Sequence, residues 1–260
     1  MKTSDFLIKK INKEKISVVT CYDYTHAKIL SKSEIDCLLV GDSVAMIMHG
    51  FKDTLAATIE MMAMHTTAVS RGASNKFIVT DMPFLSFRKS TAKTIDAAEK
   101  LIRAGAAAIK IEGAKGNLET IQYLIESGIP VMGHLGFTMQ YKYTMQTIVQ
   151  GKTDDSAKSL EEEAHQLEEA GCFAVVLECM PSALANRISQ ALRIPTIGIG
   201  AGKGTDGQVL VLHDLLGLNN DFKPKFVKHF MDGSQQVSKV IQDFITEINT
   251  GEFPNNEHCY

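Results

Sequence analysis

Short apolar runs recur along the chain at strand length. ISVVTCYD begins at Ile16, CLLVGDS at Cys37, FIVTDMP at Phe77 and AAAIKIEG at Ala106. IPVMGHLG begins at Ile129, CFAVVLECM at Cys172, PTIGIGAG at Pro195 and GQVLVLHD at Gly207. These runs are rich in Val and Ile and show little polar alternation, the pattern of strands covered on both faces. Between them the period becomes that of amphipathic helices. STAKTIDAAEKLIRAG puts Ile95, Ala98, Leu101 and Ile102 on one stripe, with Ser90 as candidate cap and Gly105 as stop. NLETIQYLIESG, from Asn117 to Gly128, and SAKSLEEEAHQLEEAG, ending at Gly171, repeat the device. Each terminal glycine can take the left-handed conformation after a helix, and a strand follows at once.

Alternating strands and helices imply a parallel sheet, and about eight repeats predict a (β/α)8 barrel. The doubly wound open sheet is the structural rival. One barrel domain is expected over 1–260, with a short N-terminal extension and a helical tail through VSKVIQDFITEINTG. The last residues, EFPNNEHCY, read as a loose extension. The methionine-rich MMAMHTTAV (61–69) reads as a helix packed on the sheet. His65 and His165 read as plain helix residues, and Glu161–Glu163 as a solvated face.

Composition narrows the partners. The 260 residues carry a net charge of −3 with no basic stripe, which disfavours nucleic acid and favours a small-molecule partner. Five cysteines, an odd number with no C-x-x-C pair, argue against a disulfide scaffold or zinc ribbon and suit a reducing cytosol. MKTSDFLIKKINKEK has no signal-peptide core, and no apolar run approaches the ~20 residues of a membrane span. A cytoplasmic protein is expected.

The acids change the picture most. Asp42 ends CLLVGD, Asp81 ends FIVTD, Glu112 ends AAAIKIE and Glu178 ends CFAVVLE. In a (β/α)8 barrel those strand ends surround one mouth, where active sites lie. Lys110 and Glu112 stand two residues apart, so they share one side of a strand, ~7 Å apart along it. Carboxylates without a Cys or His cluster suit a hard cation such as Mg2+. Such an ion polarises a keto acid and stabilises an enolate, while a remaining carboxylate acts as general base and Lys110 steadies negative charge. Each piece also has a plainer reading. An Asp after a strand can cap the next helix, Lys110 and Glu112 can pair structurally, and Glu178 can sit in water at the rim. His134 either donates to substrate or is a satisfied mouth residue. GKGTDG at 202–207 matches G-x-G-x-x-G, but a strand follows it, so it reads better as a tight turn near the mouth. Cys179, beside Glu178, is a candidate oxidation-sensitive thiol.

VTCYDY, LLVGDS, VTDMPF, IKIEG, GHLG, VLECMP, IPTIGIGAG and DGQVLVLHD occur in this order. Together they resemble the ketopantoate (3-methyl-2-oxobutanoate) hydroxymethyltransferase family, from about residue 3 to the C-terminus. The resemblance implies a barrel of the phosphoenolpyruvate/pyruvate type, assembled as a homodecamer. It implies Mg2+ and transfer of a one-carbon unit from 5,10-methylenetetrahydrofolate to 3-methyl-2-oxobutanoate, giving 2-dehydropantoate in pantothenate biosynthesis. Asp42, Asp81 and Glu112 would be metal-linked; Asp42, Ser43, Asp81 and Lys110 would contact the keto acid. Glu178 would be the proton acceptor, with His134 close to the substrate. The pattern lapses at YKYTMQTIVQG (141–151), which lacks the family's glycine pair, and at TLAAT (54–58), where a proline is usual. Two other classes remain open: a Mg2+-dependent C–C lyase or mutase of another oxo acid, and a non-catalytic ligand-binding barrel.

Overall fold

The structure, a computed structural model, describes residues 1–145, 147–219 and 224–260. Two compact units divide the chain, Met1–Leu210 and Val211–Tyr260. In the first, eight parallel strands close into a barrel in sequence order. They are β1 (Ile16–Thr20), β2 (Cys37–Val40), β3 (Phe77–Asp81), β4 (Ala108–Glu112), β5 (Val131–Gly136), β6 (Ala174–Glu178), β7 (Thr196–Ile199) and β8 (Gly207–Leu210). The helices of this unit are α1 (Thr3–Ile11), α2 (Tyr24–Leu30), α3 (Val44–Ile47), α4 (Ile59–Gly72), α5 (Thr91–Arg103), α6 (Leu118–Glu126), α7 (Asp154–Glu169) and α8 (Ser182–Ala191). The closed barrel, not the open sheet, is the fold.

Alternation fixes what fills it. Val18, Cys37, Leu39, Phe77, Val79, Ala108, Met132, Ala174, Val176, Ile197 and Val209 pack in one buried interior cluster. Phe6 of α1 joins them, fully buried, with its ring edge-on to Phe77 at 5.1 Å and Phe173 at 5.2 Å. The N-terminal extension is therefore part of the core. Side chains alternate along a strand, so the inward row 77–79 continues to Asp81, and Ala108 continues to Lys110 and Glu112. By the same count Met132 leads to His134, and Val176 leads to Glu178.

Several local expectations change. Ser90 caps α5 as anticipated, accepting from the Lys93 N–H. Asn117 does not cap α6 with its side chain; its amide donates instead to the carbonyls of Glu112 at 3.0 Å and Gly113 at 2.8 Å. The helix expected from Ser156 starts at Asp154, because Thr153 accepts from the Ser156 N–H and caps it there. No helix joins β7 to β8. GKGTDG is thus the return connection, and its Asp206 lies at the N-terminal end of the barrel, not the mouth. There the Asp206 carbonyl accepts from Ile16 N–H at 3.0 Å and its carboxylate pairs with Lys10 at 2.8 Å.

In the second unit, the run expected to stay extended through 214 turns helical as α9 (Leu212–Leu215), and α10 spans Gly233–Thr250. Gly251 closes α10 with φ 75°, the left-handed stop that glycine allows. The final segment forms a short 3-10 turn at Asn256–His258, and Phe253 meets Phe244 with ring centroids 5.5 Å apart. Residues 220–223, ahead of α10, lie outside the described residues, and with them the start of FKPKFVKHF (222–230). No helix among the described residues is long and apolar enough to cross a membrane.

Candidate active site

Five strand-borne groups converge at the carboxyl ends of β3 to β6. Asp81, Lys110, Glu112 and His134 are buried, while the Glu178 side chain is 23% exposed at the rim. Asp42 lies two residues past β2 and is also buried. Its backbone N–H donates to Asp81 Oδ2 at 3.0 Å, which draws the β2 and β3 ends together. The Asp81 side chain is thereby an acceptor for another loop, not a helix cap. Ser43 follows, and its hydroxyl shares a 2.7 Å hydrogen bond with the Tyr22 phenol.

Lys110 and Glu112 do not pair with each other. Lys110 Nζ stands 3.2 Å from Asp81 Oδ1, and Glu112 Oε1 stands 3.3 Å from His134 Nδ1. The other nitrogen of His134 is 3.2 Å from Glu178 Oε2. That approach is close enough for charge attraction but out of line for a hydrogen bond. His134 therefore links the buried acid of β4 to the rim acid of β6.

Burial penalises every charge in this group, and neighbours decide who keeps one. Asp42 is pushed well above the usual carboxylate range by burial, then by the negative charges of Asp81 and Glu112. Burial also raises Asp81, against the pull of Lys110. Lys110 is pulled down by burial but raised further by Asp81, Glu112 and Asp42, so it stays an ammonium. Burial raises Glu112, but its bond to His134, the charges of His134 and Lys110 and the Gln140 N–H together lower it. Burial and Lys110 depress His134, yet its contacts with the Glu112 and Glu178 carboxylates bring it up to about 9. Cys179 is buried, and burial pushes its thiol up to about 12, which removes the reactive thiolate that an oxidation-sensitive site needs.

Four residues of this region escaped the sequence pattern. Gln140, in a 3-10 turn (Met139–Tyr141) after β5, donates its backbone N–H to Glu112 Oε2 and its amide to Asp42 Oδ2, each at 3.0 Å. Tyr22 holds Ser43 from below. His65, expected as a plain helix residue, is buried; its Nδ1 bonds the Tyr22 carbonyl at 2.6 Å and its Nε2 meets His49 at 2.9 Å. Asn117 ties down the end of β4. None of the four follows from strand periodicity, because all contact the site through loops or helices.

The donor set suits a hard cation. Three carboxylates face one ammonium in a buried space, so their crowding is what a divalent ion would relieve. Asp81 Oδ1 has the Lys110 ammonium at 3.2 Å but no aligned hydrogen bond, which leaves acceptor capacity that a cation or its waters can complete. Among the described residues no group of three or more His, Cys, Asp or Glu side chains forms a ready metal cage. Mg2+ tolerates this, because it keeps several waters and takes few protein carboxylates directly.

A closed parallel barrel with its polar cluster at the carboxyl strand ends is the architecture of an enzyme. Solved structures of the phosphoenolpyruvate mutase/isocitrate lyase class share it. A 2,3-dimethylmalate lyase of that superfamily superposes with a TM-score of 0.62 at 14% identity, covering 99% of this chain and 91% of that one. A phosphonopyruvate hydrolase, solved with oxalate and Mg2+, gives 0.64 at 10% identity, covering 99% and 93%. At sequence level, the pattern of the ketopantoate hydroxymethyltransferase family matches residues 1–256, and the chain belongs to that family. The 3-methyl-2-oxobutanoate hydroxymethyltransferase of Coxiella burnetii is 55% identical over 263 aligned residues, covering 100% of this chain and 99% of its own. The enzyme of the same name from Francisella tularensis subsp. novicida is 53% identical over 252, covering 96% and 95%.

Proposed function

We infer that the chain transfers a one-carbon unit from 5,10-methylenetetrahydrofolate to 3-methyl-2-oxobutanoate, with one water consumed, giving 2-dehydropantoate for pantothenate biosynthesis. The observation that carries this reading is the 55% identity, over the full chain, to a relative named for the reaction. Asp42, Asp81 and Glu112 would hold Mg2+. When bound, the ion supplies Lewis-acid polarisation of the keto oxygen.

The remaining steps belong to the chain's own groups. Lys110 and the Ser43 hydroxyl bind the keto acid's oxygens, and Asp42 and Asp81 border the same space. Lys110 remains protonated among three acids. An ammonium has no lone pair for a Schiff base, so it acts as a fixed positive charge. Glu178, the most exposed of the acids, removes the C3 proton, and its contact with His134 keeps it aimed inward. His134 lies close to the substrate. C3 then bonds to the one-carbon unit; its two C–N bonds to the folate break, water supplies the hydroxyl oxygen, and the C3 proton and a proton from that water end on the two nitrogens of the departing tetrahydrofolate. The purified chain, given both substrates and Mg2+, is expected to form 2-dehydropantoate, followed by mass spectrometry. Turnover of the keto acid without folate would point to a lyase instead, and no C3 proton exchange in heavy water to a binding barrel.

The same reading includes a homodecamer in the cytoplasm, where five free thiols persist. Support comes from α10, which leaves Val237, Val240, Ile241, Phe244, Ile245 and Ile248 exposed on one stripe. Such a stripe is costly in water and suits burial against further copies of the chain. Light scattering is expected to give the mass of ten subunits; a monomer at micromolar concentration would refute the assembly.

A further inference from the structure

Gln140 is a neutral side chain that reaches into the acid group from outside the strands. Its carboxamide donates from Nε2 to Asp42 Oδ2 and to the Met82 carbonyl, both at 3.0 Å. Both neighbours are acceptors, so the amide has only one workable orientation; the reverse would set its oxygen against a carboxylate. Its backbone N–H is spent on Glu112 Oε2 at 3.0 Å. One residue thus ties together the ends of β2, β3 and β4, which carry Asp42, Met82 and Glu112. The amide oxygen is left buried without a hydrogen-bond partner. A buried acceptor in that state is normally completed by a bound donor.

The neighbours of Gln140 anchor the same short turn. Tyr141 receives a hydrogen bond from Arg88, and Lys142 pairs with Asp53 at 2.6 Å. Three consecutive residues are therefore fastened to three separate loops. Only the first of them touches the acids.

We propose that Gln140 is a positioning residue that holds Asp42 and Glu112 at the separation a hydrated divalent cation requires. The inference rests on the metal assignment above and deepens it. The uncharged side-chain amide restrains Asp42 and the backbone N–H of the same residue restrains Glu112, neither cancelling a charge, so the acids stay fixed and still attract a cation. A lysine or arginine in the same place would compete with the ion. The turn after β5 consequently contributes to metal affinity without supplying a ligand.

Isothermal titration of Mg2+ into the full-length chain, without substrates, tests this. Gln140→Met keeps the length of the side chain, removes the Nε2 donations to Asp42 and the Met82 carbonyl and leaves the backbone N–H on Glu112; Gln140→Ala serves as a second variant in case Met packs poorly. Either is expected to raise the Mg2+ Kd by about tenfold, the size of one lost hydrogen bond to a charged group. Melting temperature, read on the same samples, checks folding. Tyr141→Phe and Lys142→Ala loosen the turn without touching the acids and are expected to leave the Kd within about twofold. Mg2+ binding equal to wild type in folded Gln140→Met and Gln140→Ala would overturn the proposal. So would an equal loss in Tyr141→Phe and Lys142→Ala, which would make the effect a property of the whole turn. A wild-type chain that binds no Mg2+ would overturn the metal assignment itself, and the positioning role with it.

Discussion

Glu178→Gln is expected to slow C3 proton exchange of 3-methyl-2-oxobutanoate by about 10³-fold, the usual yield of a positioned general base. The substitution keeps shape and removes only the ability to take a proton. Glu178 is partly exposed at the end of β6, so the fold should tolerate the change. Keto-acid affinity and Mg2+ affinity should remain near wild type, because neither assigned set includes Glu178. Exchange can be followed by NMR in heavy water, with Mg2+ and without folate, which isolates the proton step from carbon transfer. A Glu178→Gln chain that exchanges at the wild-type rate would remove Glu178 from the chemistry. The base would then have to be sought among the buried acids.

The second large effect concerns stability. Lys110→Met preserves the stem and deletes the ammonium that faces Asp81 at 3.2 Å. Breaking a buried pair by removing one partner typically costs about 3–5 kcal/mol, because the other charge is left buried and unpaired. Here three acids lose their common cation. The metal-free variant is therefore expected to unfold at a clearly lower urea concentration, and saturating Mg2+ should restore part of the difference. Keto-acid binding should weaken as well. A metal-free Lys110→Met chain as stable as wild type would mean that the acids shed their charge by protonation once the lysine is gone.

Much of this site was readable before any coordinates, for one reason. Strand side chains alternate, so Asp81, Lys110, Glu112, His134 and Glu178 inherit their facing from the apolar residues two and four positions earlier. Periodicity also gave the eight strands and most helix limits, because Gly105, Gly128 and Gly171 each end a helix just before a strand. It gave no access to contacts made across the mouth. Gln140 meets residues 28 and 98 positions away in the chain, through a turn with no periodic pattern. His65 looked like any helix residue, and only the packing of α4 under Tyr22 reveals its bonds. The β7–β8 connection departs from the tight turn expected at the mouth for a related reason: a glycine-rich run states that the chain turns, not how far it travels before the next strand.

The alternation that aims these charges also limits how the chain can change its length. Loss of Ile109 would rotate both Lys110 and Glu112 out of the barrel, into the helix layer. Loss of two residues would restore their facing but sink them ~7 Å towards the apolar floor. Neither is a graded change, so insertions and deletions within strands are expected to be purged in any lineage that keeps the activity. Beyond its first residues the described part of 141–151 belongs to no strand, and it is held again at Gln150, whose N–H donates to the Cys179 carbonyl at 2.9 Å. Drift in length and composition should therefore gather there, and the mouth can be reshaped without disturbing the charges beneath it.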